Sequence, residues 1–185
     1  MFGRILGYGA LGLATTPLLD YVWHAGLGHE RIVENPTGKE HKEHHRTAST
    51  VTPPWDEVRA NTGRVGAIAL GVGAALGPFV GFTRSIPLAT GMVAGYVLIT
   101  HYHAKMHARP PETAYERWMW RFHWHHHAVD PKVNYGLTSP VFDFVFGTAV
   151  VPDEVVIPER MAPAWLEGEI DGLVRKGAVR TEVLA

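Results

Sequence analysis

VGAIALGVGAALGPFVGFT, residues Val65–Thr83, and SIPLATGMVAGYVLITHYHA, residues Ser85–Ala104, are two uncharged runs separated by a single residue, Arg84. The first is 19 residues long and the second 20. A helix needs about 20 mostly apolar residues to cross the hydrocarbon core of a bilayer, so both read as transmembrane helices. Gly73-x-x-x-Gly77-x-x-x-Gly81 and Gly91-x-x-x-Gly95 put small residues along one face of each run. Such stripes let helix backbones approach closely in lipid, where the hydrophobic effect cannot drive association. Arg84-Ser85-Ile86-Pro87 reads as the tight turn between the two spans.

Upstream, an uncharged core of 15 residues from Ile5 to Leu19 continues through Tyr21-Val22-Trp23. It reads as a third span rather than a signal peptide, since no small-residue cleavage pattern precedes His24. The expectation is one all-α integral membrane domain over residues 1–185, with about three transmembrane helices near 3–22, 64–83 and 86–103. Segments 23–63 and 104–185 then form a helical cap on one side of the membrane. Those segments hold Arg31, Lys39, Lys42, Arg46, Arg59, Lys105, Arg109, Arg117, Arg121 and Lys132, against Arg84 and Arg4 opposite. The positive-inside rule therefore places the cap in the cytoplasm.

Ten of the 12 histidines fall in the cap or at its edge as four clusters: His24-x4-His29, His41-x2-His44-His45, His103-x3-His107 and His123-x2-His126-His127. Offsets of three and four residues project from one helical face, so His41, His44 and His45 can converge, as can His123, His126 and His127. Adjacent residues diverge by about 100°, so within each adjacent pair one ring can serve one ion and its neighbour a second. His24 and His29 lie about 140° apart on an α-helix, which again suits two ions. His101 and His125 turn about 200° away from their cluster mates and are left out. Ten imidazoles supply five for each of two ions. Imidazole suits zinc, copper, nickel and ferrous iron alike, and the spacing does not choose among them. Structural zinc is disfavoured, because such sites are four-coordinate and usually carry cysteine, of which the chain has none.

Composition narrows the partners. Lys plus Arg (17) nearly cancel Asp plus Glu (18) and form no stripe, so no nucleic-acid partner is expected. A metal transporter or store is the rival of another class, but transport requires polar groups near the bilayer midplane and the two long runs have none. Asp20, four residues before His24, is placed to orient that ring, although it also fits a helix cap. Trp118, Trp120 and Trp124 anchor at lipid headgroups or pack over the site. Pro53-Pro54 sits in a loop over Thr47–Thr62, and Trp165, Ile170, Leu173 and Val174 suggest an amphipathic helix within 152–185.

The order of the four clusters, closed by Asn134-Tyr135-Gly136 and Asp143-Phe-Val-Phe-Gly147-Thr148, resembles the integral-membrane fatty acid hydroxylase and sterol desaturase superfamily over roughly residues 20 to 150. Phe142 stands where that superfamily often has Trp. The resemblance implies two non-haem iron ions, replaceable by zinc on overexpression, held by His24, His29, His41, His44, His45, His103, His107, His123, His126 and His127. It also implies O2 as co-substrate, a lipid hydroxylated or desaturated at an aliphatic C–H bond, and a separate electron-donor protein. Asn134 and Asp143 join Asp20 as supports of the ligands. A carotenoid ring hydroxylase is the alternative within the same chemistry, disfavoured by the closing motif.

Overall fold

In a computed structural model describing residues 2–29, 34, 36–48 and 54–177, the two long runs form a hairpin that turns earlier than predicted. Helix α4 (Pro54–Val80) and helix α5 (Phe82–Ala108) are separated by Gly81 alone, at φ 89°. That left-handed conformation is open to glycine and strained for other residues, so one residue makes the corner and Arg84–Pro87 is absorbed into α5. At its other end α4 reaches back to Pro54, a residue preorganised for a first helical position, and takes up most of the loop expected over Thr47–Thr62. Residues 49–53 of that loop lie outside the described residues, as does Arg31.

Among the described residues, α5 is the one helix long and apolar enough to cross a membrane. The apolar part of α4 is the shorter stretch Val65–Val80. The first segment is broken at Thr15 into α1 (Phe2–Ala14) and α2 (Thr16–Val22), where Pro17 opens the second helix and Thr15 Oγ1 donates to the Gly12 carbonyl at 2.8 Å.

The glycine stripes serve two contacts rather than one. A methyl group at Gly91 would stand 2.0 Å from the Gly9 carbonyl oxygen, and one at Gly95 1.9 Å from Thr16 Oγ1, so these glycines seat α1 and α2 on α5. A methyl at Gly73 of α4 would instead meet Ala89 of α5 at 3.3 Å.

Beyond the hairpin the cap is built from a π-helical turn (Trp23–Gly28), α3 (Pro36–Arg46), α6 (Ala114–Ala128) and α7 (Val141–Phe146). The described chain is mostly helical, with one small sheet that replaces the amphipathic helix expected near Trp165. Strands β1 (Val155–Ile157), β2 (Glu169–Ile170) and β3 (Leu173–Arg175) run in the order β1-β3-β2, β1 parallel and β2 antiparallel to β3. Asp171 and Gly172 both have positive φ, 49° and 81°, the geometry of a two-residue type I′ hairpin. Residues 178–185 lie outside the described residues.

The sheet closes the main core. Val155, Ile157, Leu166 and Leu173 pack with Met106, Met119, Trp120, Phe122 and Trp124. Three indole N–H groups then satisfy the carbonyls left free where α5 ends: Trp124 donates to Met106 at 3.3 Å, Trp165 to His107 at 2.9 Å and Trp120 to Arg109 at 3.0 Å. Trp120 and Trp124 are fully buried, and so pack within the cap rather than at headgroups.

Candidate metal centre

The ten clustered histidines come together as two groups of five. His24, His29, His41, His45 and His126 bring one ring nitrogen each to within 4.8 Å of all the others, and His44, His103, His107 and His127 do the same. His123 joins the second group through Nε2, 2.9 Å from Nε2 of His107. In the first group His24, His41, His45 and His126 form a square with neighbouring ring centres 4.6 to 4.7 Å apart, and His41 and His126 face each other across it at 6.3 Å. His29 stands at the apex, 4.7 to 5.2 Å from all four. The second group repeats the figure. His44, His103, His123 and His127 make the square, with His103 and His127 opposed at 6.5 Å, and His107 is the apex. The groups touch through His45 and His127, stacked at 4.2 Å.

Secondary structure explains the sorting. On α3, His41 and His45 are one turn apart and enter the first group, while His44 between them enters the second. On α6, His123 and His127 enter the second group and His126 the first. The adjacent pairs therefore divide as the 100° step predicts. His24 and His29 do not divide, contrary to the expectation drawn from an α-helix. The backbone between them is π-helical, with the His29 N–H donating to the His24 carbonyl at 3.0 Å. One i→i+5 turn returns the chain to the same face, and both rings reach the first group. His101 and His125 belong to neither; His101 stacks on Trp55 at 4.3 Å.

Backbone carbonyls fix which nitrogen each key ring offers. His24 Nδ1 lies 2.5 Å from the Tyr135 carbonyl, His126 Nδ1 2.6 Å from Val133 and His107 Nδ1 3.0 Å from Ala48. A carbonyl only accepts, so each Nδ1 carries the hydrogen and each Nε2 turns a bare lone pair inward. In the first group Nε2 pairs stand 3.0 to 3.1 Å apart. Ligands about 2.1 Å from a shared ion stand about 3.0 Å apart at right angles and about 3.4 Å apart in a tetrahedron. The observed spacing is the closer of the two, so the five nitrogens could surround one cation more densely than a tetrahedral set would. His127, buried, has no hydrogen-bond partner at either nitrogen, and a cation would satisfy the one that carries the lone pair.

Electrostatics agree. Burial, reinforced by neighbouring imidazoles, pushes His123, His126 and His127 well below the usual histidine range, and brings His24 down to about 3 and His45 to about 2. Neutral imidazole is the form that binds a metal.

The three supports expected from sequence act one step further out. Asp20 does not reach His24; its Oδ2 accepts the Leu137 N–H at 2.9 Å, because the His24 ring is already taken by Tyr135. Asn134, left-handed at φ 60°, donates through Nδ2 to the carbonyls of Phe122 (3.0 Å) and Val150 (2.9 Å) and accepts the Val150 N–H at 2.7 Å. Asp143 accepts from the N–H groups of Tyr135 (2.7 Å) and Gly136 (2.8 Å) and from Thr148 Oγ1 (2.8 Å). Burial pushes its carboxyl upward against those bonds. Together they clamp the loop segment whose Val133 and Tyr135 carbonyls aim His126 and His24. Sequence reasoning missed the carbonyls, since a backbone acceptor leaves no trace in residue type.

A cavity of about 660 Å³ opens beside both groups, lined by His24 and His41 of the first and His44 and His103 of the second. Its remaining wall is largely apolar, with Val65, Ile68 and Val72 from α4 and Met92, Val93 and Tyr96 from α5. From Met92 to His103 it follows α5 for about 16 Å.

The sequence matches a family model described as fatty acid hydroxylase over residues 9–148. No curated protein and no solved structure gives a significant match.

Proposed function

The chain belongs to the fatty acid hydroxylase family, and from that premise we propose that it is an O2-dependent, non-haem di-iron enzyme that hydroxylates an aliphatic C–H bond of a lipid. The observation that carries this reading is the shared cavity. One apolar channel runs along α5 and meets histidines of both five-membered groups, as oxidation of an unactivated hydrocarbon at a dinuclear centre requires. The first group would hold one ion and the second the other. When bound, two iron ions supply the activation of O2 that delivers oxygen to a C–H bond.

The chain's own residues do the rest. Val65, Ile68, Val72, Met92 and Tyr96 bind the hydrocarbon and keep water from the reacting carbon. The carbonyls of Val133, Tyr135 and Ala48 hold three rings in one tautomer. Membrane association follows from the family and from α5. Three membrane passes, formed by α1–α2, α4 and α5, put the histidines on the cytoplasmic side, where a separate donor protein delivers electrons.

The test uses membranes containing the full chain, supplied with iron, O2 and an electron donor, and mass-spectrometric detection of oxidised lipid. The parent oxidises lipid and carries two ions per folded chain by elemental analysis. His44→Ala and His126→Ala each remove a corner of a square, abolish oxidation and lower metal content. Parent-level oxidation in both variants would refute the assignment.

A further inference from the structure

Helix α7 is bare on one side. Val141, Phe144, Val145 and Phe146 are 47%, 57%, 65% and 54% exposed in a helix of six residues, while Asp143 between them is fully buried in the clamp described above. Just beyond it, Val150 and Val151 are exposed as well. Between Lys132 and Asp153 the chain carries one charge, and it is the buried Asp143. Exposed apolar surface this concentrated marks a contact with a partner or a membrane.

Continuity identifies the occupant. Phe146 packs on Tyr21 of α2 with ring centres 4.9 Å apart, and the Tyr21 hydroxyl lies 3.1 Å from Thr148 Oγ1. Helix α7 therefore adjoins α2, whose Leu19, Val22 and Trp23 are exposed where they line the cavity that meets the histidines. Exposed apolar residues continue along α1 through Leu13, Leu11 and Leu6, the outer face of a membrane pass in the reading above. Six helical residues extend about 9 Å against a hydrocarbon core of about 30 Å, so α7 cannot cross. Trp23 at the junction is a residue type enriched at the membrane–water boundary.

We propose that α7 lies in the boundary layer of the bilayer with Val141, Phe144, Val145 and Phe146 among the lipids, holding the cap down on the membrane beside its spans. The partner is a lipid surface. The inference rests on the membrane reading of α5, and the test separates the two.

Because the chain contains no cysteine, single cysteine substitutions give unique labelling sites. Phe144→Cys, Leu98→Cys on the exposed face of α5 and Lys176→Cys, exposed just beyond β3, each receive an environment-sensitive fluorophore. The full chain is placed in phosphatidylcholine–phosphatidylglycerol vesicles. Fluorescence is quenched by lipids brominated near the top of the acyl chain or by aqueous iodide. Lipid quenching at 144 several-fold stronger than at 176, with iodide quenching in the opposite order, is the expected result. Lipid quenching at 98 with iodide reaching 144 as freely as 176 overturns the inference and leaves the enzyme reading intact. Iodide reaching 98 as well overturns both. Protection of 144 from both quenchers, with a cross-linked dimer through that thiol, assigns the surface to a second copy and refutes the lipid contact.

Discussion

The two histidine groups share one figure, a square of four rings under a fifth, yet they are held by different means. In the first, His24 and His126 are aimed by carbonyls of a single loop segment, and Asn134 and Asp143 clamp that segment with side-chain hydrogen bonds. In the second, His107 has the Ala48 carbonyl behind it, while His123 and His127 are lodged against buried aromatics such as Trp124. The first group is oriented by directional polar bonds, which fail abruptly. The second is oriented by packing and by the indole-capped end of α5, which fail by degrees.

The strongest way to break that contrast is Asp143→Ala. It leaves the N–H groups of Tyr135 and Gly136 and the Thr148 hydroxyl without their acceptor, and a buried unsatisfied group costs about 1–3 kcal/mol. The expected loss is about 3 kcal/mol by chemical denaturation, with metal content of the folded fraction falling toward one ion per chain. Equal depletion of both ions would show that the groups are not independently supported.

Glu116→Gln tests the platform under the second group. Glu116 accepts from Arg109 at 2.6 Å, Lys105 at 3.2 Å and the Glu112 N–H at 2.8 Å. Burial raises its pKa, but those bonds outweigh it and hold the carboxyl at about 2 against an ordinary 4.5. A group depressed on folding stabilises fully above its unfolded value and loses that contribution as pH falls through the folded one. The variant should lose about 2 kcal/mol at neutral pH and show a flatter decline between roughly pH 4.5 and 2. Unchanged acid sensitivity would remove Glu116 from the account.

Trp165→Phe keeps an aromatic ring in place of the indole and deletes the N–H that caps His107. A loss of about 1 kcal/mol is expected, with weaker retention of one ion and the first group untouched, measured by metal release to a chelator. The smallest effect belongs to His125→Ala, outside both groups: within about 0.5 kcal/mol of the parent and with full metal content. Metal loss in that variant would mean the register of α6 is misassigned.

What could be read from the sequence follows from what residue types encode. Splitting His44 from His45 and His126 from His127 needed only the 100° step of an ordinary helix. Placing His24 with His29 needed a π-helical turn, and nothing in His24-Ala-Gly-Leu-Gly-His29 fixes a backbone of that kind except the permissiveness of Gly26 and Gly28. The hairpin was visible as two apolar runs, while its corner was misplaced because Arg84 and Pro87 look more like a turn than Gly81 does. The sheet beyond residue 150 did carry a signal. Asp171-Gly172 is a hairpin dipeptide, and weighing it above the scattered apolar residues near Trp165 would have found the strands.

The histidine contacts also have a meaning in polymer terms. They tie His44 to His103 across 59 positions, His45 to His126 across 81, and His24 to the Tyr135 carbonyl across 111. Each such tie closes a long loop, and closure entropy grows with the logarithm of loop length. In a chain without cysteine, ions held by rings from four separate segments would restrict the unfolded ensemble as disulfides do elsewhere. Metal loading would then add to folding stability, and a chelator would act on this protein as a destabilising agent.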